Sequence, residues 1–293
     1  MKEEKPSIKV AIVTGASSGI GEATARRFAK EGYAVVMAAR RKDLLDRVAV
    51  EIRQDGGLAL VVPTDLSDAT ETSSLVRQAL AAYGHVDVLV NNAGYGPPYA
   101  LEQLDRNQLR HVFDVNLLSG MQLISELTPS MRERGGGRIV NVSSLTRDIG
   151  APFVSAYAAT KGGMEAMSSS VRIELAPWNI QSTVVVPGFV DTPIHENGFE
   201  AGRHTREDPN NPYRELQDNL EHFARQQLES AISSDEVANV IWKAASVAHP
   251  KPRYFAPRSA GTAVRMFSMM PNKLAERILR GMYKWGFPEK PDA

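Results

Sequence analysis

Between Ile8 and Val186, short runs rich in β-branched residues alternate with longer amphipathic stretches, and that alternation leaves few folds open. The runs span 8–13, 33–38, 58–62, 86–90, 138–142 and 180–186. Helical spacing fills 19–31, 41–55, 68–83, 105–131 and 155–176. Val10-Ala11-Ile12-Val13 and Val184-Val185-Val186 are apolar at every position, as strands covered on both faces must be. Right-handed crossovers between such strands predict a single doubly wound parallel sheet with helices on both faces, an α/β fold.

The regularity weakens after Pro187. Residues 193–230 are polar, and Asp208-Pro209-Asn210-Asn211-Pro212 reads as a turn or loop. Ser234 and Asp235 then offer an N-cap for a helix to about Ala248. The stretch 249–293 carries nine Lys or Arg against three Asp or Glu, with Met266, Phe267, Met269, Met270, Leu274, Ile278, Leu279, Met282 and Trp285. Two short amphipathic helices separated by Pro271 are expected there. The predicted organisation is a flexible start at 1–7, one Rossmann-type domain over 8–248 and a helical C-terminal extension over 249–293.

Composition narrows the function classes. Lys plus Arg and Asp plus Glu both number 34, so no global field favours nucleic acid. The absence of cysteine excludes disulfides, thiolate metal sites and a Cys nucleophile, and fits a cytoplasmic protein. His85, His111, His195, His204, His222 and His249 lack zinc-ligand spacing, so no metal is expected. The charged start Met1-Lys2-Glu3-Glu4-Lys5-Pro6 has no signal-peptide apolar core, and no segment reaches the roughly 18 apolar residues of a membrane span. Attachment to a membrane surface stays open.

Thr14-Gly15-Ala16-Ser17-Ser18-Gly19-Ile20-Gly21 follows the first run and opens the first helix. Glycine there permits positive φ and lets backbone approach a pyrophosphate, while the helix N-terminus supplies N–H groups and a positive dipole end. A tight strand-to-helix turn without a ligand is the plain alternative. The second run ends Ala38-Ala39-Arg40-Arg41, where an acidic residue would bind a ribose 2′-hydroxyl. A guanidinium suits a 2′-phosphate instead, so NADP is favoured over NAD; two solvated arginines are the alternative.

At this point the chain resembles the short-chain dehydrogenase/reductase family over about Val10 to Thr192, with a looser fit to Ala248. The motifs are the glycine turn, Asn91-Asn92-Ala93-Gly94, Ser144, and Tyr157-Ala158-Ala159-Thr160-Lys161, with Asn116 at the family's fourth catalytic position. A Tyr and a Lys four residues apart share a helix face. The Lys161 cation should therefore favour phenolate and lower the Tyr157 pKa from its usual value near 10.

The resemblance implies that Tyr157 exchanges a proton with a carbonyl or alcohol oxygen, that Ser144 hydrogen-bonds that oxygen, and that Lys161 bonds the nicotinamide ribose. It implies that Asn116 supports a water relay, that Asp65 and Leu66 face adenine, and that Asn92, Ala93 and Gly94 line the cofactor. Pro187, Gly188 and Thr192 would hold the carboxamide end. Each has a plainer reading: Ser144 as a turn serine, Asn116 as a satisfied helix polar group, Asp65 as a neighbour of an N-cap, Tyr157 as a half-buried aromatic.

Two departures stand out. Ser17 and Ser18 occupy a turn where NADP-using members often carry a basic residue, so the cofactor preference rests on Arg40 and Arg41. Arg147, followed by Asp148, replaces a frequent Gly three residues after the serine and could put charge beside the substrate mouth.

The region 193–230 sits where the family builds its substrate lid, with room for a loop that orders on binding. Phe189, Ile194, Phe199, Tyr213 and Phe223 could line an apolar pocket; His195, Arg203, His204 and Arg206 could meet an anion or simply be solvated. The C-terminal extension resembles those of members acting on steroids and other lipophilic ketones, so the expected substrate is a small-molecule carbonyl or alcohol of bulky, apolar character. The extension could pack over the cleft, form a dimer contact or rest on a membrane. The family implies a homodimer or homotetramer through 105–131 and 155–176. A catalytically idle NADP-binding regulator and a membrane-surface scaffold are the competing classes.

Overall fold

The computed structural model describes residues 8–284; the segment 1–7, expected to be flexible, and Trp285 lie outside the described residues. Seven parallel strands form one sheet in the order β3-β2-β1-β4-β5-β6-β7. They are β1 (Val10–Thr14), β2 (Ala34–Ala39), β3 (Leu58–Pro63), β4 (Val88–Asn91), β5 (Gly137–Val142), β6 (Ile180–Pro187) and β7 (Arg253–Ala256). The order reverses between β1 and β4, which opens a crevice at the carboxyl ends of the strands.

Burial follows the pleat. Ala11 and Val13 of β1 face one apolar layer, with Phe28 of α1 (Gly19–Lys30), Leu45 and Val48 of α2 (Lys42–Gln54), and a helix near the C-terminal end. Val10 and Ile12 face the other, with Leu75 of α3 (Ala69–Tyr83) and further helices described below. Each such Val, Ile, Leu or Phe contributes roughly 1.5–3 kcal/mol when removed from water. The end of α1 is fixed by Phe28, Tyr33 and Trp242, three rings packed edge to face at 5.2–5.5 Å.

The stretch 105–131 is not one regular helix. It divides into α4 (Arg106–Phe113), a π turn over Asp114–Leu118, and α5 (Ser119–Glu133). Leu123, Leu127 and Met131 of α5 complete the second layer, together with Met167 and Val171 of α6 (Ser155–Glu174).

Residues 193–230 are more ordered than a loop. They form α7 (Pro193–Glu207) and α8 (Arg214–Leu228), joined through the expected turn at 208–212. Their apolar residues are spaced for one face each, a weak signal that the abundant charge hides. α9 (Ser234–Ser246) starts at a Ser233/Glu236 capping box and packs Val237 and Ile241 into the first layer.

The expected boundary at 248 falls inside the sheet. β7 pairs with β6 beyond it, and among the described residues α10 (Arg258–Ser268) and α11 (Asn272–Met282) form the helical end. Four residues, Arg253-Tyr254-Phe255-Ala256, are too few for a period-2 pattern to stand out.

Candidate active site

The sequence motifs converge on the carboxyl edge of the sheet. Gly15 and Gly19 have φ of 67° and 55°, in the left-handed region that glycine tolerates. A Cβ on Gly21 would run into the Gly15 carbonyl and lie 2.7 Å from Asn92 Nδ2, so only glycine lets α1 start this close to the strand ends. Asn92 Nδ2 donates to the Thr14 carbonyl at 2.9 Å, and the Thr14 hydroxyl receives the Asn92 N–H at 2.9 Å and the Ala93 N–H at 3.1 Å. These bonds lock the β4 motif to the glycine turn.

No side chain caps the N-terminal N–H groups of α1, so they remain available to an anion. Arg41 Nη2 donates to the Ser17 hydroxyl at 3.2 Å and to the Ser18 hydroxyl at 3.0 Å, which puts a guanidinium on the turn itself. The two serines that replace a basic residue in the turn thus recruit one from β2's end. Arg40 is exposed and acts electrostatically on Asp65. Burial tends to raise the Asp65 carboxyl, but the Ser67 N–H and hydroxyl, aided by Arg40 and His111, hold it below the ordinary value. Leu66 beside it is buried.

Ser144 follows β5 and caps a single 3-10 turn. Its Oγ accepts from the Thr146 N–H at 3.3 Å and the Thr146 hydroxyl at 3.1 Å, leaving its own proton to point elsewhere. The Ser144 side chain lies close enough to the Tyr157 hydroxyl to favour its ionised form. The Tyr157 ring is sandwiched against backbone: a Cβ on Gly96 would lie 2.9 Å from its Cδ2. One turn on, Lys161 is 2% exposed; its Nζ donates to the Val142 carbonyl at 2.8 Å and lies 5.4 Å from the Tyr157 ring centroid.

The electrostatics differ from the expectation. Burial pushes the Tyr157 hydroxyl up to about 12, against the opposing Ser144 side chain, instead of the phenol being lowered by Lys161. Burial also brings Lys161 down to about 8, with Glu165 opposing. Desolvation wins because the ammonium is turned to the Val142 carbonyl and not to the phenol.

Asn116 sits in the π turn, 1% exposed. Its Oδ1 accepts the Tyr95 N–H at 2.7 Å, and its Nδ2 donates to the Tyr95 carbonyl at 2.8 Å and the Thr160 hydroxyl at 3.1 Å. The Thr160 hydroxyl in turn donates to the Tyr157 carbonyl at 2.7 Å. Asn116 therefore braces both the Gly94–Gly96 segment and the Tyr157 helix. A Cβ on Gly94 would meet Lys161 Nζ at 3.5 Å and Asn116 Oδ1 at 3.8 Å, so Gly94 keeps this corner open.

Pro187 and Gly188 end β6 against Ala256 and Pro257, and Thr192 packs on the glycine turn. Arg147 does not stand free at the mouth. It pairs with Asp148 at 2.6 Å and lies 3.8 Å from Glu165, while Arg253 of β7 pairs with both acids. Gly96, Glu165 and Arg253 escaped the sequence reading, as did the bracing role of Thr160 inside the Tyr157–Lys161 motif; Gly96 repeats two residues after Gly94.

Arg203 and Arg206 of α7 are paired with Glu200 and Glu221. His195 stacks on Phe189 at 6.0 Å, and burial lowers its pKa toward a neutral ring, with the Val190 backbone opposing. Phe153, Tyr213, Leu216, Phe223, Leu279 and Tyr283 form one apolar cluster joining the loop before α6, α8 and the C-terminal end of α11. Beside it a cavity of about 390 Å³ is lined by Gly150–Pro152, Leu216, Leu279 and Tyr283, with Glu276 and Arg280 completing the lining.

A glycine turn, an Asn-Asn-Ala-Gly turn and a Ser-Tyr-Lys constellation at a strand-order switch define a dinucleotide-type crevice. The short chain dehydrogenase family model matches residues 9–202, and the chain belongs to that family of oxidoreductases. An uncharacterised oxidoreductase of Methylorubrum extorquens is 41% identical over 185 residues, 63% of this chain and 74% of that protein. In several other curated oxidoreductases the match spans 56–64% of their length, less than two thirds. The F189W variant of actinorhodin polyketide ketoreductase, solved with NADPH, is 30% identical with a TM-score of 0.71, covering 85% of this chain and 95% of that one. A short chain dehydrogenase/reductase of Burkholderia phymatum, solved with NAD, is 24% identical with a TM-score of 0.78 over 98% of both chains, a likeness of fold. Among the described residues no helix is long and apolar enough to cross a membrane, and no group of three or more His, Asp or Glu could hold a metal ion.

Proposed function

We propose that the protein interconverts a ketone or aldehyde and the corresponding alcohol using NADP(H), with Tyr157 as general acid and base. The observation that carries this reading is buried Lys161 one turn from Tyr157, its Nζ 5.4 Å from the ring centroid, with the Ser144 side chain beside the phenol. The uncapped start of α1, with Arg41 held on Ser17 and Ser18, suits a pyrophosphate and a 2′-phosphate, and Arg40 adds positive charge nearby. Gly15, Gly19, Ile20 and Gly21, with Asp65, Leu66, Asn92, Ala93 and Gly94, line the path from adenine to nicotinamide in this reading. Pro187, Gly188 and Thr192 close its carboxamide end.

Bound nicotinamide supplies or takes the hydride. In reduction, Tyr157 passes its hydroxyl proton to the carbonyl oxygen as negative charge grows there. With its pKa near 12, the phenol holds that proton throughout the neutral range. The Ser144 proton, freed by the two Thr146 donors, hydrogen-bonds the same oxygen. Lys161 keeps positive charge near the tyrosine, and Asn116 positions both through Tyr95 and Thr160. In oxidation the proton runs from the alcohol to a Tyr157 phenolate that has first given up its own proton to solvent, so that direction gains as pH rises.

The apolar cluster around Phe153, Phe223 and Tyr283 supports a bulky, apolar substrate. The test is a panel of apolar ketones, aldehydes and alcohols assayed with NADPH or NADP⁺, with NADH and NAD⁺ in parallel. Tyr157→Phe is expected to lower turnover roughly 10²–10⁴-fold while cofactor fluorescence titration stays unchanged. Tight cofactor binding without turnover of any carbonyl would instead mark an idle cofactor-binding protein.

A further inference from the structure

The C-terminal helices present a surface that catalysis does not use. Met266 and Met269 of α10 are 60% and 79% exposed, and Leu274, Ile278 and Met282 of α11 are exposed as well. Leu274, Ile278 and Met282 recur every four residues and so form one row along α11. On one flank runs the packed row, where Leu279 and Tyr283 enter the apolar cluster with Leu216 and Phe223. On the other flank Lys273, Arg277 and Arg280 follow helical spacing.

Charge on this segment is one-sided. Residues 258–284 hold six basic residues, Arg258, Arg265, Lys273, Arg277, Arg280 and Lys284, against the single acid Glu276. Yet the chain as a whole is balanced at 34 of each sign. Arg280 pairs with Glu276 at 2.8 Å, which leaves the segment net positive. An exposed apolar row rimmed by cations is poorly matched to a neutral protein partner and well matched to an anionic lipid surface, where the row enters the acyl boundary and the cations meet headgroups.

We propose that α10 and α11 form a peripheral docking surface for an anionic bilayer. Docking there sets the lid beside the lipid, because the Tyr283 ring packs edge to face on Phe223 of α8 at 5.3 Å. A lipid-dissolved apolar molecule then has a short route toward the lid. The docking itself does not depend on the proposed reaction.

The test is flotation of the full chain with vesicles of phosphatidylcholine alone and of phosphatidylcholine mixed with phosphatidylserine. Binding is expected only to the mixed vesicles, weakening as salt rises, with Lys273→Gln and Arg277→Gln each lowering partitioning about five-fold. Leu274→Asp with Ile278→Asp should abolish it, and because these side chains are exposed the melting temperature should hold. Failure to float with the mixed vesicles at low salt overturns the proposal, as does equal binding to both vesicle types. Dissociation of a dimer by Leu274→Asp with Ile278→Asp, without any vesicle binding by the parent, would overturn it in favour of a second copy.

Discussion

The Ser143 hydroxyl donates a 2.6 Å hydrogen bond to Glu165 Oε1, which ties the residue before Ser144 to the helix that carries Tyr157 and Lys161. Both partners are buried, and Glu165 also receives Arg253 Nη2 at 3.1 Å.

Glu165→Ala leaves the Ser143 hydroxyl without its acceptor and Arg253 with Asp148 alone, a loss of about 1–3 kcal/mol. Urea unfolding should register that loss, and Glu165→Gln should recover part of it by keeping the Ser143 contact. Unchanged stability in Glu165→Ala would show that the network is incidental.

The pH dependence follows from two opposite shifts. Lys161 is brought down to about 8, so its charge is present below that pH and disappears as pH rises through it. Tyr157, pushed up to about 12, keeps its proton over the same range. kcat/KM for carbonyl reduction should therefore fall on the alkaline side with an apparent pKa near 8. Glu165→Gln, which removes the group opposing the fall in Lys161, should move that limb to lower pH. A profile flat to pH 10 contradicts the assignment. Stability carries the opposite sign: the unfolded chain binds the Lys161 proton up to about 10.5, so this residue's burial penalty is relieved as pH rises from about 8.

Gly96→Ala places a methyl 2.9 Å from Tyr157 Cδ2, and the ring must move to admit it. A displaced phenol should lower kcat on the order of 10- to 100-fold while NADPH affinity holds, measured by steady-state kinetics beside fluorescence titration.

Arg41→Ala removes the guanidinium on the Ser17 and Ser18 hydroxyls. Loss of a charged phosphate contact is worth about 1.5–3 kcal/mol, so the KM for NADPH should rise roughly 10- to 100-fold while that for NADH changes little. A parent enzyme that prefers NADH would sink the NADP reading.

Much of this was legible in the sequence because parallel strands and glycine turns leave local marks. Residues 10–13 and 184–186 announce themselves by uninterrupted apolar character, and Tyr157 with Lys161 by a spacing tied to a helix. What stayed hidden depends on long-range packing. The π turn at Asp114–Leu118 carries no composition signal; it shows only because Asn116 finds Tyr95 and Thr160. Arg253 looked like tail charge, since nothing near it in sequence reveals Asp148 and Glu165, more than 80 positions away. The Tyr157 pKa was misjudged because spacing gives proximity to Lys161 but not burial.

Thr192 touches two working parts at once. Its Cγ2 lies where a Cβ on Gly19 would sit 3.1 Å away, and it is also the N-cap residue of α7. A ligand that shifted the glycine turn would therefore press on that methyl and through it on the start of α7, and by thermodynamic linkage the converse would hold as well. Under the proposed reaction, a cofactor seated in the turn would set the start of α7 before a second molecule arrives, which favours an ordered sequence of binding.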